Sequence, residues 1–306
     1  MANSILNAPQ FQTEAEAFKY VEARLWPNGP VCPHCGEKEK VGRLNGKTSR
    51  PGLCKCYKCR KPFTVRIGTI FESSHLALHL WLQIIHLMSA SKKGISTRQV
   101  QRMLSCSMKT AWHLTHRIRE IMNDGSAGPL GGAGMTLEAD ETFVGAEAGK
   151  KLGRLPVEKR VVFSLVERGG RARSVHVPNV RANTLREAIA ANADRKSRLM
   201  TDENAVYKFI GWNFDGHEVV NHGKKEYVRG DAHSNSVEGF FSILKRGLYG
   251  TYQHVSDEHL SRYLCEFDFR YSNREKLGVD DVSRADIALQ NAPGKRLTYR
   301  TTVRGY

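Results

Sequence analysis

The sequence predicts an α/β protein, a mixed sheet flanked by helices, preceded by a small cysteine-held module and a helical module. Three observations predict it. Between residues 136 and 220, extended apolar runs alternate with a helical stretch, the pattern of strands and helices packed in layers. Between residues 74 and 122 the apolar spacing is helical throughout. Ahead of both, four cysteines fall in two closely spaced pairs.

The 306 residues suit two or three small units, or one core domain with appendages. An apolar fraction of 40% is enough for a core. Lys and Arg total 47 against 31 Asp and Glu, a net charge of +16. That excess points to a polyanionic partner, nucleic acid before a membrane surface, since no long basic amphipathic helix stands out. No segment is apolar enough to span a bilayer: the best, Leu76–Met88, is broken by His79, Gln83 and His86. The first ten residues lack a basic region followed by an apolar run, so no signal peptide is read. Seven cysteines, four of them in CxxC pairs, point to a reducing compartment and to metal rather than disulfides.

Residues 1–68 read as a helix followed by a ribbon. Phe11, Ala15, Phe18 and Val21 share one helical face, and Pro27, Gly29 and Pro30 end the helix. Cys32-Pro33-His34-Cys35 is followed, after twenty residues, by Cys56-Tyr57-Lys58-Cys59. Each pair can form a tight knuckle, and four thiolates close a tetrahedron around structural Zn2+ with no position left for water. Cys32, Cys35, Cys56 and Cys59 are the expected ligands. Cys54 offers another thiol, but Cys56 keeps the two-residue gap; His34 reads as a knuckle residue. Lysines and arginines crowd this module, among them Lys58 and Arg60, and suit phosphate contacts.

Residues 69–124 read as a helical module. Leu78, Trp81, Leu82, Ile85 and Met88 form a stripe. Ser96-Thr97-Arg98-Gln99 is a capping box that opens a short helix to Leu104. After the turn Ser105-Cys106-Ser107, Ser107 caps a helix over 108–122, with Ala111, Leu114, Ile118, Ile121 and Met122 inward. Lys109, Thr110, His113 and Arg117 then form its free face. The pair reads equally as a DNA-binding helix-turn-helix or as plain helical packing. Glycines make residues 125–135 a linker by composition.

Residues 136–280 read as the core domain, and 281–306 as a basic tail. Strands are expected over 136–144, 160–167, 173–177, 198–201 and 218–220, with helices over 184–191, 205–212 and 262–274. Lys224 and Lys225 fall in a basic loop. The chain turns on residues 233–250. Val237, Phe240, Phe241, Leu244 and Leu248 repeat at helical spacing, and Gly247 and Gly250 end the run. Asn235 and Glu238 look like the two halves of a helix cap. Yet only 35 residues lie between Asp202 and Glu238, and 61 between Asp140 and Asp202. Both aspartates sit on strand-like runs. Two strand-borne aspartates and one helix-borne glutamate can converge on divalent metal.

These stretches are similar to the insertion-sequence transposases of the DDE type, specifically the ISXO-like group that carries a zinc ribbon. The resemblance rests on Asp140-Glu141-Thr142-Phe143-Val144-Gly145, Thr201-Asp202-Glu203, and His233-Ser234-Asn235 with Glu238, Phe240, Lys245-Arg246-Gly247 and Tyr249-Gly250. It continues through residues 254–274. Phe143 and Ala146 depart from it, where tyrosine and a second glycine are common. The resemblance implies a ribonuclease-H-like fold in which Asp140, Asp202 and Glu238 hold two Mg2+ ions, with Mn2+ able to substitute. It also implies a basic residue seven positions after the glutamate, and Lys245 fits. Some relatives place asparagine in the third acidic role, so Asn235 stands beside Glu238 as a rival. His233 reads either as a contact to the scissile phosphate or a ligand carboxylate, or as a loop residue that helps cap the helix. Glu141, next to Asp140 on a strand, is expected to face away from the metals.

The implied function is a DNA transposase that binds terminal inverted repeats and catalyses 3′-end cleavage and strand transfer. Lys58, Arg60, Lys109, Thr110, His113, Arg117 and Arg246 are the candidate DNA contacts. The implied partners are double-stranded DNA, both element ends and target, and a second copy of the chain, a dimer at least. No membrane is expected, and the implied location is a bacterial cytoplasm in association with the nucleoid. A catalytically inert DNA-binding regulator and a metal-dependent nuclease or resolvase are the alternatives.

Overall fold

A computed structural model describes residues 4–46, 48–123, 125, 128–145, 159–207, 209–220 and 228–298. Ala146 and the basic loop with Lys224 and Lys225 lie outside the described residues. The chain divides into two compact units: Met1–Ser91 with Ile95–Met122 and Asp280–Tyr306, and Lys92–Gly94 with Asn123–Val279.

In the first unit, α1 (Glu14–Leu25) is capped by Thr13, whose Oγ1 accepts from the Glu16 amide at 3.3 Å. It buries Ala17, Phe18 and Val21; Ala15, expected on that face, is exposed and Ala17 takes its place. A three-stranded antiparallel sheet follows, ordered β1 (Val41–Arg43), β2 (Cys54–Cys56), β3 (Pro62–Phe63). Helix α2 (Leu78–Ala90) buries the expected stripe, and Trp81 meets Phe71 edge-on at 5.2 Å. Ser96 caps α3 (Thr97–Leu104) and Ser107 caps α4 (Met108–Met122), each hydroxyl accepting from the amide three residues on. The turn between them is closed by Ser105 in the left-handed region.

The basic tail expected over 281–306 is corrected at its start. Residues Asp281–Gln290 form α8, capped by Asp280 and packed on α2 and α1. Asp286 accepts hydrogen bonds from the Tyr20 hydroxyl at 2.6 Å and from Arg24 Nε at 2.8 Å. The apolar Ala288 and Leu289 seal that face, a stripe hidden from composition by the basic residues that follow.

The second unit is a five-stranded mixed sheet in the order β6-β5-β4-β7-β8, with helices flanking it, consistent with a ribonuclease-H-like fold. Strands β4 (Thr136–Val144), β5 (Arg160–Glu167) and β6 (Ala172–Val177) pair antiparallel; β7 (Arg198–Asp202) and β8 (Gly216–Val220) run parallel to β4. Helix α5 (Ala182–Asn192) covers one face, its Leu185 and Ile189 packed with Leu137, Ala139, Phe163 and Leu199. Helices α6 (Asn235–Gly247) and α7 (Asp257–Ser272) cover the other, with Val237, Phe240 and Leu244 packed with Val144, Val162 and Phe267.

Three expectations change here. The linker ends early: Leu130 is buried against α5, and its amide donates to Asn192 O at 2.8 Å. The helix over 205–212 is instead two single turns, Ala205–Tyr207 and Gly211–Asn213. Gly247 is the last residue of α6, as expected, but a wider helical turn at Leu248–Tyr252 follows directly and takes in Gly250, which therefore ends nothing. A glycine is needed at 247 because a methyl group there would strike the Phe267 ring.

Candidate functional site

The four expected cysteines come together. The sulfurs of Cys32, Cys35, Cys56 and Cys59 lie within 4.8 Å of one another, with Cys32–Cys59 and Cys35–Cys56 both at 3.6 Å. Four sulfurs at a Zn–S length of about 2.3 Å stand roughly 3.8 Å apart in a tetrahedron, so the cluster fits zinc. Cys54 is buried in the ribbon core beside Phe63 and stays outside the cluster. His34 stays outside it too.

The acidic residues gather at the sheet. Alternation along β4 puts Glu138, Asp140, Thr142 and Val144 on the α6 face and Leu137, Ala139 and Glu141 on the α5 face. Asp140 lies opposite Ser164 of β5 and accepts a hydrogen bond from the Glu141 amide at 2.7 Å. Asp202 ends β7, the parallel neighbour of β4, and accepts from the Asn204 amide at 3.1 Å. Glu238 lies in the first turn of α6, and the Ser234 hydroxyl donates to its Oε1 at 3.0 Å.

Burial pushes the Asp140 carboxyl up to about 7, and the negative charges of Asp202, Glu141 and Glu238 push the same way. Asp140 therefore sits within electrostatic reach of both partners expected for it. Among the described residues the four cysteines are grouped closely enough to hold an ion as they stand, and the three carboxylates are not. Carboxylates with this mutual repulsion, two of them half-buried, are a donor set that a hard divalent cation neutralises. Glu141 faces the other side, as expected, and accepts hydrogen bonds from Tyr207 and from Asn204 Nδ2, the latter at 3.0 Å.

Around Glu238 the structure revises the local reading. Asn235 is the exposed first residue of α6 rather than its cap. The capping position falls to Ser234, whose side chain caps nothing. The helix amides are met instead by Glu138, a fully buried residue of β4. Its Oε2 accepts from the Ser236 and Val237 amides at 2.6 and 3.1 Å, and its Oε1 from the Ser236 hydroxyl at 3.0 Å. Arg168 Nε pairs with the same carboxylate at 2.9 Å, and His233 Nδ1 stands 3.3 Å away. His233 therefore stands against the carboxylate that meets the α6 amides. Glu138 escaped the sequence reading, although alternation alone places it on the face of Asp140. Lys245 follows Glu238 by seven positions on nearly the same side of α6 and is half-buried.

The candidate DNA contacts divide. Lys58 and Arg60 are exposed on the ribbon, Lys58 paired with Glu37 at 3.2 Å. Lys109, Thr110 and His113 line a cleft of about 510 Å³ beside Ser73, Ser74 and His75. Thr110 Oγ1 shares a hydrogen bond with Ser107 at 2.9 Å. Arg117 lines the same cleft but does not stand free as expected: it is 5% exposed, donates to Glu72 O at 2.8 Å and lies over the Trp81 ring at 5.0 Å. Helical spacing placed it on the free face, but the side chain is long enough to fold under α2. Arg246 is exposed and turns back onto Ser242 of its own helix, its Nε donating to Ser242 O at 3.0 Å.

Comparison with known proteins follows this geometry. Residues 129–272 match the ISXO2-like transposase domain, and residues 12–62 match a transposase zinc-ribbon domain. The first span contains Asp140, Asp202, Glu238 and Lys245; the second contains all four clustered cysteines. An uncharacterized protein in transposable element ISH50 of Halobacterium salinarum is 27% identical over 299 residues, covering 88% of this chain and 95% of that protein. No described helix is long and apolar enough to cross a membrane.

Proposed function

We propose that the chain, which carries an ISXO2-like transposase domain over residues 129–272 and a transposase zinc ribbon over residues 12–62, is a transposase that cuts the ends of an insertion sequence and joins them to target DNA through Asp140, Asp202 and Glu238. One observation carries the assignment of residues: the half-buried Asp140 carboxyl is raised to about 7, chiefly by loss of water around it and in part by the charges of the other two. Three acids that repel one another at the mouth of a sheet are costly unless a cation is meant to join them.

Asp140, Asp202 and Glu238 would hold the Mg2+ ions. Bound there, the ions supply Lewis acidity at the phosphodiester and lower the pKa of the attacking water or hydroxyl. Water adds to phosphorus as the bond to the 3′-oxygen breaks, freeing a 3′-hydroxyl. That hydroxyl then attacks a target phosphorus and displaces the target's own 3′-oxygen. Ser234 orients Glu238 through its hydroxyl. Lys245 holds a phosphate beside the cut, and Glu141, turned to the other face, takes no part in ligation. The ribbon with Lys58 and Arg60, and the α3–α4 pair with Lys109, Thr110 and His113, grip the inverted repeats through phosphates first. Two ends must be held together for joining, so the working form contains at least two copies.

The test is a strand-transfer assay with full-length zinc-loaded protein, Mg2+ and duplexes carrying the element end. Cut and joined products, absent in Asp140→Asn, support this reading. Cutting without joining supports a nuclease or resolvase instead, and binding alone supports an inert regulator.

A further inference from the structure

We infer that Glu138 is a positioning residue for this site: it clamps the start of α6 to β4 and so sets where Glu238 stands relative to Asp140. The inference rests on the reading above, in which Asp140 and Glu238 ligate metal.

A fully buried carboxylate needs a reason. Burying a charge with its partner rarely stabilises a fold more than packed apolar groups would, and Val144, Val162 and Val166 show that this face of the sheet accepts them. Glu138 is instead aimed at the end of a helix. It takes the first free amides of α6, those of Ser236 and Val237, and the Ser236 hydroxyl, where negative charge is favoured by unpaired N–H groups and the helix dipole. Helix α6 has no side-chain cap of its own, because the Ser234 hydroxyl is given to Glu238. The two tasks are thereby divided: Glu138 caps the helix, and Ser234 is released to orient the ligand.

The path from one ligand to the other is short. Glu138 and Asp140 stand two residues apart on the same face of β4, about 7 Å along the strand. Val237, whose amide Glu138 holds, immediately precedes Glu238. Arg168 completes the clamp, pairing with Glu138 and donating to Asp231 O at 2.7 Å and His233 O at 3.0 Å, which ties down the chain entering α6. Groups bonded directly to a metal's ligands typically govern affinity by about ten- to a hundredfold; Glu138 acts one step further back, through the backbone next to Glu238, and belongs at the lower end of that range.

The experiment measures Mn2+ binding to full-length zinc-loaded protein by titration calorimetry, in a double-mutant cycle of Glu138→Gln and Glu238→Gln. The expected result is a loss of roughly tenfold in Mn2+ affinity for Glu138→Gln, with no further loss when it is added to Glu238→Gln. Equal losses in both backgrounds would mean a general weakening of the fold and would overturn the inference, as would unchanged affinity in Glu138→Gln while Glu238→Gln loses binding. If Asp140→Asn and Glu238→Gln both bind Mn2+ like the unaltered chain, the ligand assignment itself fails and takes the inference with it. Should Glu138→Gln not fold, Ser236→Ala reads the same clamp by removing one donor, with an expected loss of roughly fivefold that also vanishes in the Glu238→Gln background.

Discussion

Tyr207, fully buried, donates its hydroxyl hydrogen bond to Glu141 and so fastens the segment after Asp202 to the strand that carries Asp140. Neighbours on one strand have been given opposite duties, Asp140 toward α6 and Glu141 toward α5. Glu141→Gln keeps an acceptor for Tyr207, and strand transfer is expected to stay within about tenfold, whereas Asp140→Asn should lose roughly a thousandfold or more. Glu141→Ala leaves the Tyr207 hydroxyl buried without its acceptor and should cost about 1–3 kcal/mol in urea unfolding. A Glu141→Gln protein as dead as Asp140→Asn would assign Glu141 to the metals and break the division of faces.

Zinc content separates the fifth cysteine of the ribbon from the four that cluster. Cys56→Ser removes a ligand, so the full-length protein is expected to lose its single zinc and the ordered ribbon with it. Cys54→Ala should keep one zinc per chain and lose only packing, about 1–2 kcal/mol beside Phe63. Metal analysis after dialysis gives the answer, and zinc lost from Cys54→Ala with zinc kept in Cys56→Ser would reverse the choice.

On α4 the expected division is between Lys109 and Arg117. Lys109→Ala should leave the melting temperature unchanged and reduce the salt dependence of binding to an inverted-repeat duplex by about one ion. Arg117→Ala strips the contact with Trp81 and the bond to Glu72 O, and should cost about 2–3 kcal/mol of stability. If Arg117→Ala instead melts normally and binds DNA weakly, the guanidinium reaches the phosphates after all.

Periodic signals carried the fold from the sequence. Extended apolar runs marked β4 and β5, the helical stripe marked α2, α4 and α6, and spacing alone separated Cys56 from Cys54. What stayed hidden depends on distant partners. Glu138 meets Ser236 across 98 residues, so nothing near it in the chain says that it caps a helix. Gly247 does close α6, yet what requires a glycine there is the Phe267 ring, twenty residues on. Arg117 shares a helical face with Lys109 and His113 by spacing, and only the position of α2 decides that it is buried. The candidate ligands were legible because each sits on a strongly patterned element; the parts that aim them were not.

The last expectation concerns pH. Asp268 of α7 holds β6 through Ser174, whose amide and hydroxyl each donate to its carboxylate at 2.7 Å. Burial pushes this carboxyl up to about 7, against the pull of the Ser174 hydrogen bonds and Arg173. The folded state therefore binds the proton more tightly than the unfolded chain, where an aspartate titrates near 3.9. Stability from this group is full below about pH 4 and is lost as pH rises through about 7. Part of the residue still meets water, which holds the change to about 1–2 kcal/mol. Asparagine keeps both bonds, its carbonyl accepting from the amide and its NH2 donating to the hydroxyl, and has no charge to bury. Unfolding in urea between pH 5 and 8 should thus show the unaltered chain weakening relative to Asp268→Asn, the gap opening toward pH 8; parallel curves would show that the carboxylate ionises there without penalty.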